Sequence, residues 1–243
     1  MRAIRRAPRA RSGKPGWLHP LRIVAVVILL LLAVPYLLTP LYRFVDPVSM
    51  PMLWRRVTGA RVERTFVPLS RIAPILPLTV IAAEDGSFCH NRGIDLGAMR
   101  EALEQADDDI AGARGGSTIT QQTVKNLFLW PGRSFVRKAL EFPLAVWMHL
   151  TLPKRRVIEI YLNVAEWGPD GEFGAEAAAR YAFGKSARDL DARQAAELAA
   201  ILPNPARRSA RAPDLLVRRL AGLYELRAAA HPARAACIRG IAP

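Results

Sequence analysis

The sequence predicts a mainly α-helical protein preceded by one transmembrane helix, and three observations carry that prediction. Residues 23–38, IVAVVILLLLAVPYLL, contain no charge and no amide. Extended to 21–41, the run reaches about 20 residues, one bilayer crossing. Further on, apolar residues recur at helical spacing, as in Val157, Ile158, Tyr161 and Leu162. No run alternates convincingly with the period of a strand, and no internal repeat is present.

The charge is distributed unevenly. Of a formal net charge of +14, residues 1–22 hold seven Lys or Arg and no acid. Residues 203–243 hold eight Arg against Asp214 and Glu225, so the stretch between the two ends is close to neutral. A nucleic-acid binder usually carries its basic surface on the folded domain, so no nucleic-acid partner is expected. An anionic membrane surface suits basic ends as well or better. The sequence therefore divides into a basic cytoplasmic tail (1–22) and an anchor (21–41), with the positive flank held inside. Pro35 is tolerated in a membrane helix. Thr39-Pro40-Leu41-Tyr42 follows the run where a cleaved signal peptide would show a small-x-small site, which favours an uncleaved anchor. The run is apolar on every side, which argues against a core helix.

The next segment, 42–64, reads as a linker and membrane-proximal stretch, and Pro47, Pro51 and Pro68 punctuate the entry to the domain. Leu41, Val45, Met50, Met52, Leu53 and Trp54 suit either the membrane interface or packing between anchor and domain. A helix is predicted over 77–85, with Pro77 at its first position and Gly86 as its stop. Residues 94–106 form a second, with Asp95 as N-cap. An acidic, Gly-rich loop follows, Asp107-Asp108-Asp109 then Gly112, Gly115 and Gly116, a candidate mobile segment. Thr118 with Gln121 three residues on is a capping-box pattern, and opens the next helix. Helices are predicted over 135–150 and 154–166. Asp191 with Gln194 caps another that ends before Pro203, and Asp214 opens a last amphipathic helix with Leu216, Leu220 and Leu223. Cys89 and Cys237 form no CxxC pair, and the four His are scattered, so no zinc site is expected. A Cys89–Cys237 disulfide outside the cytoplasm is left open.

Three constellations suggest chemistry. In Glu84-Asp85-Gly86-Ser87-Phe88, Glu84 follows an apolar run near a predicted helix C-terminus. The helix dipole and apolar surroundings both disfavour a carboxylate there, raising its pKa towards that of a general base. The plainer reading is an exposed acid at a helix end. In Gly115–Asn126, Thr118, Gln121, Gln122 and Lys125 share one helical face of hydroxyls, amides and an ammonium, suited to a phosphorylated sugar. A solvated polar face is the alternative, although such faces more usually carry Glu/Lys pairs. In Arg133–Glu141, Arg137 and Glu141 stand at i, i+4 and would serve as a surface salt bridge, while Arg133 suits a phosphate or plain solvent.

In this order behind an anchor, the segments EDGSF, GGSTITQQTVKN, RKALE and RRVIEIYLNVAEWG resemble the successive motifs of glycosyltransferase family 51. This is the glycosyltransferase domain of class A penicillin-binding proteins, and the likeness is greatest to monofunctional biosynthetic peptidoglycan transglycosylases. It covers roughly residues 65–205, with 206–243 an Arg-rich C-terminal helical extension. The resemblance implies a lysozyme-like domain with a smaller membrane-proximal lobe and a cleft between them. It implies polymerisation of lipid II onto a lipid-linked glycan chain at the inner membrane, with division or elongation proteins as partners and the catalytic domain in the periplasm. No room remains for a transpeptidase domain after residue 205 and no Ser-x-x-Lys occurs, so transpeptidation is not expected.

Carried over residue by residue, the resemblance makes Glu84 the catalytic base and Glu141 the second essential carboxylate. Arg100, Lys125, Arg133 and Lys138 become the basic residues around the donor pyrophosphate. Asp85, Phe88, Ser117, Thr118, Gln121 and Gln122 shape the cleft, and the last four bind substrate. No cofactor is obligatory, although Mg or Mn assists at the pyrophosphate in some relatives. One departure stands out: the family's first motif usually has His three residues after the Phe, where this chain has Asn91, preceded by His90. Two other functions fit parts of the pattern. A lytic hydrolase of lysozyme type would not need the phosphate-binding basics, and a non-catalytic scaffold would not need both Glu84 and Glu141.

Overall fold

The computed structural model describes residues 18–104, 116–132 and 134–239. The beginning of the basic tail, most of the acidic loop and Arg133 lie outside the described residues.

The anchor is α1, Leu18–Leu41, apolar along Pro20–Leu41 and exposed over most of its length, with Thr39 near its C-terminal end buried. It runs through Pro35 and Pro40. Pro40 lacks an N–H, so the carbonyl of Tyr36 one turn back is left without its helical donor. Trp147 supplies one, its Nε1 donating to Tyr36 O at 2.9 Å. The same two residues pack ring to ring. The C-terminal end of the anchor is thereby fastened to the helix that carries Trp147. After a turn, Ser49 caps α2, Met50–Val57, with Pro51 in its first turn. Met52 is fully buried, whereas Phe44, Leu53, Trp54 and Val57 are exposed, Trp54 by 66% and Val57 by 82%. Packing against the domain therefore accounts for Met52 and leaves the other apolar side chains uncovered.

The globular part is helical, with one small sheet. Strand β1, Glu63–Arg64, pairs in parallel with β2, Glu172–Phe173. Asn163 clamps the incoming chain, accepting from Val67 N and donating to Val67 O, both at 2.9 Å. Helices α3 (Ile75–Glu84), α9 (Ala192–Ile201) and α10 (Leu215–Ala230) pack together. A second group joins α5 (Ile119–Phe128), α6 (Phe135–Thr151) and α7 (Lys154–Val164). Helix α4, Leu96–Glu104, and helix α8, Ala175–Phe183, complete the set. The core runs through both groups and includes Leu76, Val80, Ile81, Phe88, Ile158, Tyr161 and Trp167.

The predicted helices are present with small shifts. The first starts at Ile75 instead of Pro77, which sits inside the first turn, where its missing N–H breaks no helical bond. Asp95 caps α4 by accepting from Ala98 N at 2.9 Å. Helix α5 has the complete capping box of Thr118 and Gln121, and α9 that of Asp191 and Gln194. Helix α7 ends at Val164, short of 166, because the backbone there turns to pair: Trp167 N donates to Glu172 O at 2.8 Å and Gly174 N to Ala165 O at 3.0 Å. Helix α8 was not foreseen. It is bounded by Gly174 and Gly184, both at positive φ. The C-terminal extension is part of the packed body: α10 lies on α9 and α3, and a 3₁₀ helix, Pro232–Ile238, follows.

Candidate active site

Glu84 is the last residue of α3, and Asp85 caps that helix. The loop beyond it is held by its own polar atoms. Asp85 is buried and accepts from Asn91 Nδ2 at 2.9 Å, from Ser87 Oγ at 3.1 Å and from Ile119 N at 2.9 Å. Ile119 opens α5, so Asp85 joins the Glu84 loop to the start of the helix bearing Gln122 and Lys125. Gly93 closes the loop at φ +91°, where a Cβ would fall 2.4 Å from the carbonyl oxygen of Ala145. Its own carbonyl accepts from Thr118 Oγ1 at 2.6 Å. A cavity of about 170 Å³ opens here, lined by Glu84, Asp85, Ser87, Asp95, Ser117 and Thr118 among others. A larger one of about 710 Å³ lies towards the other end of α3 and is lined by apolar residues and three Arg, with no carboxylate. Of the two, only the smaller is lined by carboxylates.

Glu84 Oε2 accepts from Gln122 Nε2 at 2.8 Å, and Gln122 Oε1 in turn accepts from Tyr161 OH at 3.0 Å. Burial raises the Glu84 pKa, and the nearby Asp85 charge adds to this. The Gln122 hydrogen bond and the charges of Lys125 and Arg208 oppose it without cancelling it. Glu84 is therefore a carboxylate with unusual proton affinity at the mouth of a polar cavity, which suits a general base.

Glu141 is placed quite differently. It lies within α6, 2% exposed, ion-paired to Arg137 and to Lys138 Nζ at 3.2 Å. The Arg137–Glu141 pair is therefore buried, contrary to the surface bridge the spacing suggested. Lys138 Nζ also donates to Ser117 Oγ at 2.7 Å, which ties α6 to the cavity wall. Burial, with Arg137 and Lys125 nearby, lowers the Lys138 pKa to about 8. Lys125 feels both groups electrostatically: its pKa is lowered by burial and by Arg137, and Glu84 acts in the opposite sense.

The structure therefore brings Glu84, Lys125, Gln122, Ser117, Lys138 and Glu141 together. Thr118 and Gln121 are buried and their polar atoms are engaged in the α5 cap, so they build the site's backbone and present little to a ligand. Arg100 is exposed on α4 and pairs with Glu104 at 2.9 Å, outside the cluster. Four residues near the site were missed: Arg137, Arg208, Tyr161 and Tyr224. Arg137 carried a signal in its i, i+4 spacing to Glu141. Arg208 and Tyr224 belong to the C-terminal extension and meet Glu84 only through the fold: the Arg208 charge acts on Glu84, and the Glu84 charge raises the Tyr224 pKa. Cys89 and Cys237 form a disulfide, Cα–Cα 5.4 Å, joining the Glu84 loop to the last 3₁₀ helix.

The family model described as transglycosylase matches residues 52–225. The chain is 60% identical over 208 residues to the biosynthetic peptidoglycan transglycosylase of Nitrobacter hamburgensis, covering 86% of this chain and 91% of that protein. It is 59% identical over 219 residues to that of Rhodopseudomonas palustris, 90% and 92% of the two chains. With that of Rhizobium meliloti it shares 49% over 224 residues, 91% and 94% of the two chains.

Proposed function

The chain belongs to the transglycosylase family, and on that premise we propose that it polymerises lipid II into β-1,4-linked glycan strands and releases undecaprenyl diphosphate. It is a peptidoglycan glycosyltransferase acting on lipid-linked glycan substrates. The observation that carries the finer reading is the opposition of a proton-loving Glu84 and a cationic group at Lys125, Arg137 and Lys138. Glu84 takes the proton from the acceptor sugar's 4-hydroxyl. The alkoxide attacks the donor's anomeric carbon, and the C–O bond to pyrophosphate breaks on the opposite face. One displacement inverts the α-linked donor to a β linkage. Developing charge on the pyrophosphate is met by Lys125 and Lys138, fixed in place by Glu141. Ser117 beside Lys138 joins them in this reading, with Arg133 from the family pattern; Arg100, exposed and paired with Glu104, stands outside the group.

The described carboxylates do not form a cage: both Asp85 oxygens are hydrogen-bonded, and Asp95 accepts from Ser87 Oγ at 2.5 Å and from Ala98 N. An obligatory divalent metal is therefore not part of the proposal, and a metal that assists would have to be held chiefly by the pyrophosphate itself. A lytic hydrolase would have no use for the cationic group, and transpeptidation would need a Ser-x-x-Lys that the sequence lacks.

One candidate membrane helix fits a single-pass protein. We place its basic N-terminal flank in the cytoplasm and the catalytic domain in the periplasm, at the inner membrane. The exposed Leu53, Trp54 and Val57 of α2 then face the lipid interface, which keeps the cleft near substrates with lipid tails. Division or elongation proteins at that membrane are the natural partners in this reading.

The test is polymerisation of labelled lipid II by the detergent-solubilised full chain beside Glu84→Gln. Polymer from the wild type, digestible by lysozyme-type enzymes and absent with the variant, supports the proposal. A folded wild type that makes none, with or without Mg or Mn, refutes it.

A further inference from the structure

Lys154 is the first residue of α7, a poor place for a cation. A helix N-terminus carries positive partial charge, and Pro153 before it provides no side-chain cap. The lysine is also partly buried, which lowers its pKa to about 8 even though the charge of Asp85 opposes the shift. A cation kept against both penalties has its use in what it touches. Its Nζ donates to Asn91 Oδ1 at 2.8 Å and lies 4.5 Å from the centre of the Phe88 ring. Neither Lys154 nor Asn91 lines the cavity.

Asn91 has two neighbours of opposite kind. An ammonium only donates and a carboxylate only accepts, so the amide has one satisfactory orientation. Oδ1 faces Lys154 and also accepts from Gly93 N at 3.1 Å. Nδ2 faces Asp85, at 2.9 Å and 3.1 Å from its two oxygens. Asp85 Oδ2 accepts from Ile119 N at the head of α5. One turn along, Gln122 Nε2 returns to Glu84, the residue before Asp85. The contacts form a closed ring: Glu84, Asp85, the first turn of α5, Gln122 and Glu84 again. Lys154 and Asn91 brace it from outside the cavity.

We propose that Lys154 is a positioning residue for the base, acting through Asn91 and Asp85 to hold Glu84 against Gln122 and Lys125. This rests on Glu84 being the base. It also gives the Asn at the family's usual His position a physical reason. A neutral amide accepts from the ammonium and donates to the carboxylate at once, without bringing a second titratable cation beside Lys154.

The experiment compares wild type, Lys154→Met, Lys154→Arg and Glu84→Gln in the lipid II assay from pH 5 to pH 9, with thermal midpoints. The groups that set the Glu84 titration are Asp85 beside it, Gln122 and Lys125 on α5, and Arg208. Those that interact with Lys154 are Asp85 on the loop and His149 on α6. Lys154→Met is expected to lower kcat about tenfold, a loss typical of a misplaced catalytic group, with KM unchanged. The acid limb of its profile should move to higher pH, because a loosened Glu84 loses the contacts that temper its proton affinity. Its thermal midpoint should hold or rise, since a lysine with a lowered pKa burdens the folded state at neutral pH. Lys154→Arg should recover most of kcat and return the acid limb. The proposal is overturned by an unchanged kcat and acid limb in Lys154→Met. It is equally overturned by a raised KM with kcat kept, which would put Lys154 on the substrate, or by a kcat loss that only tracks a lowered midpoint. Full activity of Glu84→Gln would instead remove the base assignment on which the inference stands.

Discussion

Glu84 and Glu141 are both glutamates of one cleft, yet the fold treats their charges in opposite ways. Glu84 ends a helix and meets one neutral donor, Gln122, with cations only at a distance. Glu141 sits inside a helix and is ion-paired to both Arg137 and Lys138. A base must want a proton, so its charge is left undercompensated and burial lifts its pKa. An anion that organises cations must never want one, so it is surrounded by them. The difference is what the proposed roles require, and each of the following substitutions tests one side of it.

The largest effect is expected at Glu84. Glu84→Gln keeps the shape and removes the base, and general-base catalysis typically contributes about 10²–10⁴ in rate. Its stability should move the other way. A carboxylate whose folded pKa is raised binds its proton more tightly in the folded state. Stability is therefore lost as pH climbs from the ordinary carboxylate range through the raised value. At neutral pH Glu84→Gln removes that burden, so its thermal midpoint should be at or above that of the wild type. A variant that is both inactive and clearly less stable would show that Glu84 is a structural acid.

On the other side, Arg137→Met should damage the fold. It leaves Glu141 buried with Lys138 alone, and breaking a buried pair by removing one partner costs about 3–5 kcal/mol. Glu141→Gln leaves Arg137 short of its anion and should also be destabilised. The two carboxylate variants are thus expected to differ in sign by thermal denaturation. Equal midpoints would erase the distinction between a free base and a fixed anion.

Lys138 sharpens the contrast through pH. Its pKa of about 8 means that the charge offered to the pyrophosphate fades as pH passes 8. Activity should fall there, while the lysine's own effect on stability improves with pH from about 8 up to its unfolded value near 10.4. Lys138→Arg should keep its charge and carry activity to higher pH. Lys154 has a similar value, so the wild-type alkaline limb is expected to be steep and each Arg variant to make it shallower. A limb unchanged by Lys138→Arg would take Lys138 out of leaving-group stabilisation.

What the sequence disclosed follows the range of the interactions involved. The capping boxes at Thr118 and Asp191 were legible because donor and acceptor lie three residues apart. The raised pKa of Glu84 was legible from its place after Val80-Ile81-Ala82-Ala83 at a helix end, although burial is the cause the structure supports. Spacing alone put Thr118, Gln121, Gln122 and Lys125 on one face, but it could not say that the cap would consume the first two. Arg137 was read as a surface partner because burial is not written in an i, i+4 pattern. Asn91 was visible as a departure from the family motif, and its partner Lys154, 63 residues on, was not. The Cys89–Cys237 pairing spans 148 residues and depends on the last 3₁₀ helix returning to the Glu84 loop. The extension after residue 205, read only as an Arg-rich helical extension, brings the Arg208 charge to the same carboxylate and places Tyr224 within reach of its charge.

Arg208 provides the smallest and most selective test. Its charge opposes the upward shift of Glu84, and its Nη1 donates to Ala200 O at 2.8 Å near the end of α9. Arg208→Met removes both, whereas Arg208→Lys retains the charge. If the charge matters, Met should move the acid limb of the rate profile to higher pH, because the charge that opposes the upward shift of Glu84 is gone. Lys should leave it nearly in place. If only the hydrogen bond to α9 matters, both variants lose some stability and neither moves the limb. An equal shift in both would mean that the α9–α10 packing, and not the charge, sets the proton affinity of Glu84. The Glu141 side should not respond in any of these cases, because Arg137 and Lys138 already hold that carboxylate and Arg208 has no part in its pairing.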